Sequence, residues 1–257
     1  MVGFRVGGGI AVGIVAAGLV ALGLQVVEGQ EPLPEALLDP LETLVETLGG
    51  EISEDVLGMA ERVDLSSTQV TDEDLSDLAG ATGLVSVNLN NTLVTDAGLG
   101  YLVEISGLRE LGLSFTKVSD VGLRTLIGVV QLETLSLVGT QVTDAGLANV
   151  ASLPSLGTLG LGYTQITDAG LSHLEAASQL ERLNLDSTQI TDGGLLHLAK
   201  LSRLESLGLA HTQVTDTGVT YLMGLSRLEQ LDLSGTFVTM TGLTALRRAL
   251  PDCVVEL

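Results

Sequence analysis

The chain has 257 residues, with 32 acidic against 11 basic side chains and a net charge of −21. That balance excludes the clustered Lys and Arg that grip a phosphate backbone, so no nucleic acid is an expected partner. Aromatic residues make up 2% and Trp is absent, which leaves Leu, Val, Ile and Ala to build any core, and the single cysteine, Cys253, excludes an intramolecular disulfide.

Residues 6–27 contain no charged side chain and follow Arg5. A stretch of about 20 apolar residues is long enough to cross a bilayer as a helix. Residues 1–27 are therefore expected to be a signal peptide or a membrane anchor. Small residues at Ala21 and Gly23 would suit cleavage, and an uncleaved segment would tether the protein. No cysteine lies nearby, which excludes lipoprotein processing. Arg5 favours a cytoplasmic N-terminus, so the remainder is expected to be exported, periplasmic or extracellular, or anchored to the membrane by residues 6–27. Gly7, Gly8 and Gly9 fall inside this segment and do not make a phosphate-binding loop, because no strand precedes them and no lysine follows.

Residues 28–61 carry ten carboxylates and no basic residue, and include Pro32, Pro34 and Pro40. The beginning reads as a linker. Leu37, Leu38, Leu41, Leu44, Val45 and Leu48 then follow helical spacing and predict a helix whose apolar stripe covers the edge of what comes next. Residues 51–53 are expected to pair with residues 62–65 as a small hairpin. Residues 28–59 are thus read as an acidic linker and N-terminal capping segment.

From Thr68 onward the pattern Thr-x-Val/Ile-Thr-Asp-x-Gly-Leu returns every 24 residues, at Thr68, Thr92, Thr116, Thr140, Thr164, Thr188, Thr212 and Thr236, with no insertion between copies. Fixed spacing predicts a solenoid. Within the fourth copy, Leu135 and Leu137 alternate with Ser136 as a half-buried strand requires, whereas Leu147, Val150 and Leu153 are three apart, as on one face of a short helix. Thr143 is placed as its N-cap and Asp144 lies at the positive end of the helix dipole. A single strand–turn–helix unit cannot bury its leucines, so the copies must stack into a parallel sheet with strands about 4.8 Å apart. The wider helices then force the sheet to curve, with its strands on the inside. Val63 and Leu65 occupy the first strand; Val255 and Leu257, 24 residues after Leu231 and Leu233, predict a short closing strand beyond Pro251.

The run Leu132-x-x-Leu135-x-Leu137 with Thr140 following resembles the strand signature of the leucine-rich repeat family, Leu-x-x-Leu-x-Leu-x-x-Asn/Cys. The 24-residue unit, with Asp-Ala-Gly-Leu opening the helix, is similar to the bacterial GALA and planctomycete-type repeats. The resemblance covers residues 60–257. It implies an α/β fold, a leucine-rich repeat solenoid with a parallel β-sheet on the concave face and short helices on the convex face, and it implies protein binding. Thr140 and its equivalents stand where the family has Asn or Cys. A Thr hydroxyl makes fewer hydrogen bonds than an Asn amide, so a weaker ladder between copies is expected.

Three constellations carry possible chemistry. Asp72, Asp96, Asp120, Asp144, Asp168, Asp192 and Asp216 stack one carboxylate per copy, with Met240 in the eighth. Such a row can bind calcium, but the expected role is to satisfy amides at each residue's own helix start. His173 and His197 share a helical position in adjacent copies; with no third ligand at that position, no metal site is expected. The third is the concave face. Its outward strand positions are Arg62, Ser86, Glu110, Thr134, Thr158, Arg182, Ser206 and Gln230 in one row, beside a second row of small and polar residues from Asp64 to Glu256. Just beyond, Phe115, Tyr163 and His211 recur 48 residues apart, each three residues after a glycine. Duplication of a two-copy unit would explain that double period, as would a contact row. The candidate partner-binding residues are Arg62, Glu110, Phe115, Thr134, Thr158, Tyr163, Arg182, His211 and Gln230.

No nucleophile, base and orienting group interrupt the repeat, so neither catalysis nor a cofactor is expected. The reading is a non-enzymatic protein-binding scaffold, monomeric, whose partner the sequence does not name. Two rivals remain: a cell-envelope spacer without a ligand, and a substrate-binding arm like that of F-box ubiquitin ligases, for which the region before the repeats is too short.

Overall fold

The computed structural model describes residues 40–54, 60–81 and 83–257. The apolar segment expected at residues 6–27 lies outside them, as does the start of the capping stripe. Among the described residues no helix is long and apolar enough to cross a membrane.

The described residues form one ten-stranded sheet in chain order, β1 to β10. A helix, Pro40–Leu48, comes first. Then β1 (Glu51–Glu54) pairs antiparallel with β2 (Ala60–Asp64), matching Ile52 to Val63 and Ser53 to Arg62 as the expected hairpin requires. All later pairs are parallel and step by 24 residues: β3 (Ser86–Asn88), β4 (Glu110–Gly112), β5 (Thr134–Ser136), β6 (Thr158–Gly160), β7 (Arg182–Asn184), β8 (Ser206–Gly208), β9 (Gln230–Asp232) and the closing β10 (Val254–Glu256). Short helices, such as Asp144–Val150 and Asp168–Leu174, return the chain between strands and pack on one another along the convex side. The core is continuous through all copies, with Leu135, Leu137, Val142 and Leu147 of one copy fully excluded from solvent. Leu41 and Val45 of the first helix join it, so the cap closes the N-terminal edge of the core.

The aspartate row does something other than serve its own helix. Asp144 accepts the backbone N–H of Thr167 at 2.8 Å and its hydroxyl at 2.6 Å, in the next copy. The same bridge joins Asp72 to Thr95, Asp96 to Ser119, Asp120 to Thr143, Asp168 to Thr191, Asp192 to Thr215 and Asp216 to Thr239. Each carboxylate therefore stitches its copy to the one after it. The glycine three residues beyond each Thr or Ser that donates to such an Asp makes room for the stitch: a Cβ at Gly98 would lie 2.6 Å from Asp72 Oδ1, and one at Gly122 2.5 Å from Asp96 Oδ1. The first copy departs in a way this explains. Thr71 precedes any such Asp, and the residue at the glycine position is Asp74, whose carboxylate accepts the Thr71 N–H at 2.8 Å and its hydroxyl at 2.7 Å. No carboxylate from a preceding copy fills that space, so a side chain fits and supplies the missing acceptor itself. The segment Asp74–Leu78 then forms a 3₁₀ turn and Leu99–Leu102 only a four-residue helix, so the expected helix is short in the first two copies.

The Thr positions compared with Asn also differ from expectation. Thr140 donates its hydroxyl proton to Leu137 O at 2.6 Å, within its own copy, and Thr92, Thr116, Thr188 and Thr212 do likewise. The bonds that join neighbouring turns come instead from the main chain, as in Leu137 N to Gly160 O at 2.8 Å. A hydroxyl with one proton closes a local turn, and the ladder does not depend on it.

Candidate functional site

The sheet leaves a curved trough of ≈ 640 Å³ across β5 to β10, with Thr134, Thr158, Arg182 and Gln230 in its lining. Thr134 and Thr158 are half-buried, whereas Arg182 and Gln230 are exposed. Arg182 makes no ion pair among the described residues, which leaves its guanidinium available to a ligand. Gln230 reaches Ser206 Oγ at 3.5 Å. Arg62 and Glu110 face one another over Ser86, with Arg62 Nη1 2.7 Å from Glu110 Oε2. Two of the expected contact residues thus occupy each other, and the N-terminal end of the concave face is polar but self-paired. An exposed pair of this kind contributes roughly 0–1 kcal/mol.

The second concave row is also knitted together. Asn88 Nδ2 donates to Asp64 Oδ2 at 3.1 Å, and Asp186 accepts from Ala210 N at 2.9 Å and Asn184 Nδ2 at 2.8 Å. Partial burial pushes the Asp64 carboxyl up, but the hydrogen bonds from Ser66 and Asn88 outweigh it and hold the group below the usual carboxylate range. Asp186 was absent from the expected contacts; the sequence signal for it is a charged residue in a column otherwise filled by Ser, Asn, Val, Gly and Ala.

Phe115, Tyr163 and His211 stand just past the strand ends, all with φ of 57°. Ser67, Asn91 and Ser187, at the same place in other copies, have φ of 60°, 57° and 56°, and Gly139 and Gly235 have 67° and 70°. The whole column is left-handed. The cause is the stacking of the turns: Phe115 N donates to Val138 O at 2.7 Å, Tyr163 N to Asp186 O at 2.8 Å and His211 N to Ser234 O at 2.7 Å. The fold imposes this conformation, and Gly or Asn meets it with least strain. Large side chains there are outliers that cost on the order of 1 kcal/mol each. Even so, Phe115 is 58% and Tyr163 62% exposed. The Phe115 ring lies over Gly139 and the His211 ring over Gly235 in the next copy. At Phe115 and His211 a large residue thus leans on a glycine, and all three side chains of the row stay exposed.

On the convex side, His197 Nδ1 lies 2.7 Å from Glu175 Oε1, and Lys200 Nζ is 2.5 Å from Glu175 Oε2. His197 is engaged with this carboxylate, while His173 is exposed and makes no hydrogen bond or ion pair among the described residues. Hydrogen bonds from His197 and then Lys200 hold the Glu175 carboxyl below its ordinary value. Among the described residues no group of His, Cys, Asp and Glu is arranged to hold a metal ion. Cys253 is buried, and burial pushes its thiol up.

A profile described as Leucine Rich repeat matches residues 178–199, the stretch from Ser178 through β7 to the helix Asp192–Leu198. Among solved structures, internalin C2 of Listeria monocytogenes is similar over 84% of this chain and 92% of its own, at 25% identity and a TM-score of 0.61. A leucine-rich repeat protein of Leptospira interrogans is similar over 77% of this chain and 54% of its own, at 18% identity and a TM-score of 0.52. A comparison with curated proteins returned no match. The chain has the leucine-rich repeat fold, a solenoid of the kind that serves typically as a non-enzymatic scaffold for binding proteins.

Proposed function

We propose that residues 60–257 are a protein-binding scaffold without catalytic activity, and that a partner docks on the trough and on the adjacent row of Phe115, Tyr163 and His211. The carrying observation is that row: three large side chains sit in a left-handed conformation that the fold imposes, where glycine and asparagine occur in sister copies. Strain retained at exposed side chains is a reason to look for function there. Aromatic residues and Arg are also the usual energetic centres of interfaces, and Arg182, which makes no ion pair among the described residues, lines the trough nearby. In this reading residues 28–59 link and cap the array, residues 1–27 direct export or anchor the protein, and the array is a monomer with repeats of the GALA or planctomycete kind.

A second reading, a spacer without a ligand, is favoured by the self-paired Arg62 and Glu110 and by the internal hydrogen bonds of the second concave row. Crosslinking in the native cell envelope separates the two. The full chain is compared with a variant carrying Phe115→Gly, Tyr163→Gly and His211→Gly. A partner captured by the unmodified chain and lost from the variant supports the scaffold. Identical or empty captures favour the spacer.

A further inference from the structure

We infer that the ring row reads an extended, basic, proline-rich segment in the polyproline II conformation; this rests on the scaffold reading and names the chemistry of the partner. The row continues the sheet's ladder, because each residue in it donates its N–H to the next copy. With strands about 4.8 Å apart, rings two copies apart recur about every 9.6 Å, and the span from Phe115 to His211 is about 19.2 Å. All three residues share one φ, so their side chains leave the backbone in the same sense. The result is a row of exposed rings two copies apart, those of Phe115 and His211 leaning over Gly139 and Gly235.

The spacing discriminates among peptide conformations. A polyproline II helix has three residues per turn and rises about 3.1 Å per residue, so its equivalent side chains recur about every 9.3 Å and drift by only about 0.6 Å over the row. An extended strand repeats its face about every 6.8 Å, so it passes about 2.8 Å short of the middle ring and comes back to within about 1.2 Å only at the last, whereas polyproline II meets all three. An α-helix has a pitch of about 5.4 Å, and two turns per ring accumulate a mismatch of about 2.4 Å over the same span. Strand addition is excluded at the row for a second reason: the N–H groups there are already spent on the ladder. Proline rings pack well on exposed aromatic faces, and the polyproline II backbone keeps its carbonyls free for donors such as the Tyr163 hydroxyl and a His211 ring N–H.

The charge of the partner follows from the charge of the chain. With 32 acidic and 11 basic residues, the protein attracts cations. Lys or Arg between the prolines would also lie across the Phe115 and Tyr163 faces, where a cation is stabilised by the ring.

The test uses the full chain and a labelled peptide of about twelve residues built of Pro-Pro-Lys triplets, four turns of polyproline II. A Gly-Ser-Lys peptide of the same length and charge is the control. Fluorescence anisotropy at physiological salt should show the proline peptide binding at least about tenfold more tightly than the control, and the triple glycine variant losing about that factor. Should the glycine variant fail to fold, the same three positions are changed to Asn, the residue already accepted there as Asn91. Equal affinity for the two peptides, no binding, or undiminished binding by the variant would overturn the inference. If the peptide fails while crosslinking still captures a partner through the row, only the polyproline chemistry falls; if both fail, the scaffold falls with it.

Discussion

The aspartate stitch recurs every 24 residues, as does the left-handed column that carries a ring in every second copy from Phe115, yet the two obey different rules. At the stitch every side chain is accounted for by the next copy: Asp144 needs Thr167, and Gly170 leaves the space that Asp144 fills. Even the exception in the first copy, Asp74, restores the missing acceptor. At the ring row the backbone is accounted for by stacking, but the side chains run against it. Gly139 satisfies that position with less strain than Phe115 or Tyr163 does. The stitch therefore reads as what holds the array together, and the row as what the array displays.

The largest expected effect comes from filling the stitch. Gly122→Ala places a methyl 2.5 Å from the Asp96 carboxylate and should lower stability by about 2–3 kcal/mol in urea unfolding. An unchanged midpoint would show that the carboxylate moves aside freely. Next is Asp144→Ala, which leaves the N–H and hydroxyl of Thr167 without their acceptor and should cost about 1–3 kcal/mol. Combining it with Gly170→Ala should cost less than the sum of the two single changes, because the first removes the atom that the added methyl meets. Strict additivity in that double-mutant cycle would contradict the interlock.

Tyr163→Gly should behave oppositely. Relief of a left-handed side chain by about 1 kcal/mol offsets the lost ring contact and the greater freedom of glycine when unfolded, so the midpoint should stay within about 1 kcal/mol while partner capture falls. A loss comparable to that of Gly122→Ala would move the row into the same class as the stitch.

The smallest effect is a pH dependence at the last stitch. The Asp216 carboxyl is held below its usual value by the Thr239 hydroxyl first, then by the Thr239 and Gly242 backbone amides, with some opposition from desolvation. A carboxylate depressed in the folded state stabilises it above the ordinary carboxylate pKa of 3.8, and this contribution disappears as pH falls through the folded value. Unfolding midpoints from neutral pH into the acid range should therefore fall less steeply for Asp216→Asn than for the unmodified chain. Parallel curves would remove the charge from the account of that bridge.

Most of the architecture was legible because a fixed 24-residue period leaves one way to stack strand, turn and helix. The closing strand β10 followed from the same register, while the antiparallel hairpin of β1 and β2 was read separately, as a pairing of residues 51–53 with 62–65. The direction of the stitch was not legible. Asp144 lies next to Thr143 in sequence, and nothing within one copy says that the carboxylate serves Thr167 instead; the partnership exists only after stacking. The left-handed column was hidden for a related reason. Read along one copy, Phe115 is conspicuous for following Gly112, but the informative glycines are Gly139 and Gly235, which share its place in other copies. The concave contacts were legible as positions and not as pairings, since Arg62 meets Glu110 two copies away.

The most direct measurement is urea unfolding of the full chain beside the variant carrying Phe115→Gly, Tyr163→Gly and His211→Gly. The account predicts that the variant unfolds at the same urea concentration or higher, because the rings are displayed at a cost the fold does not need. A midpoint well below that of the unmodified chain would contradict it and make the row part of what holds the solenoid together.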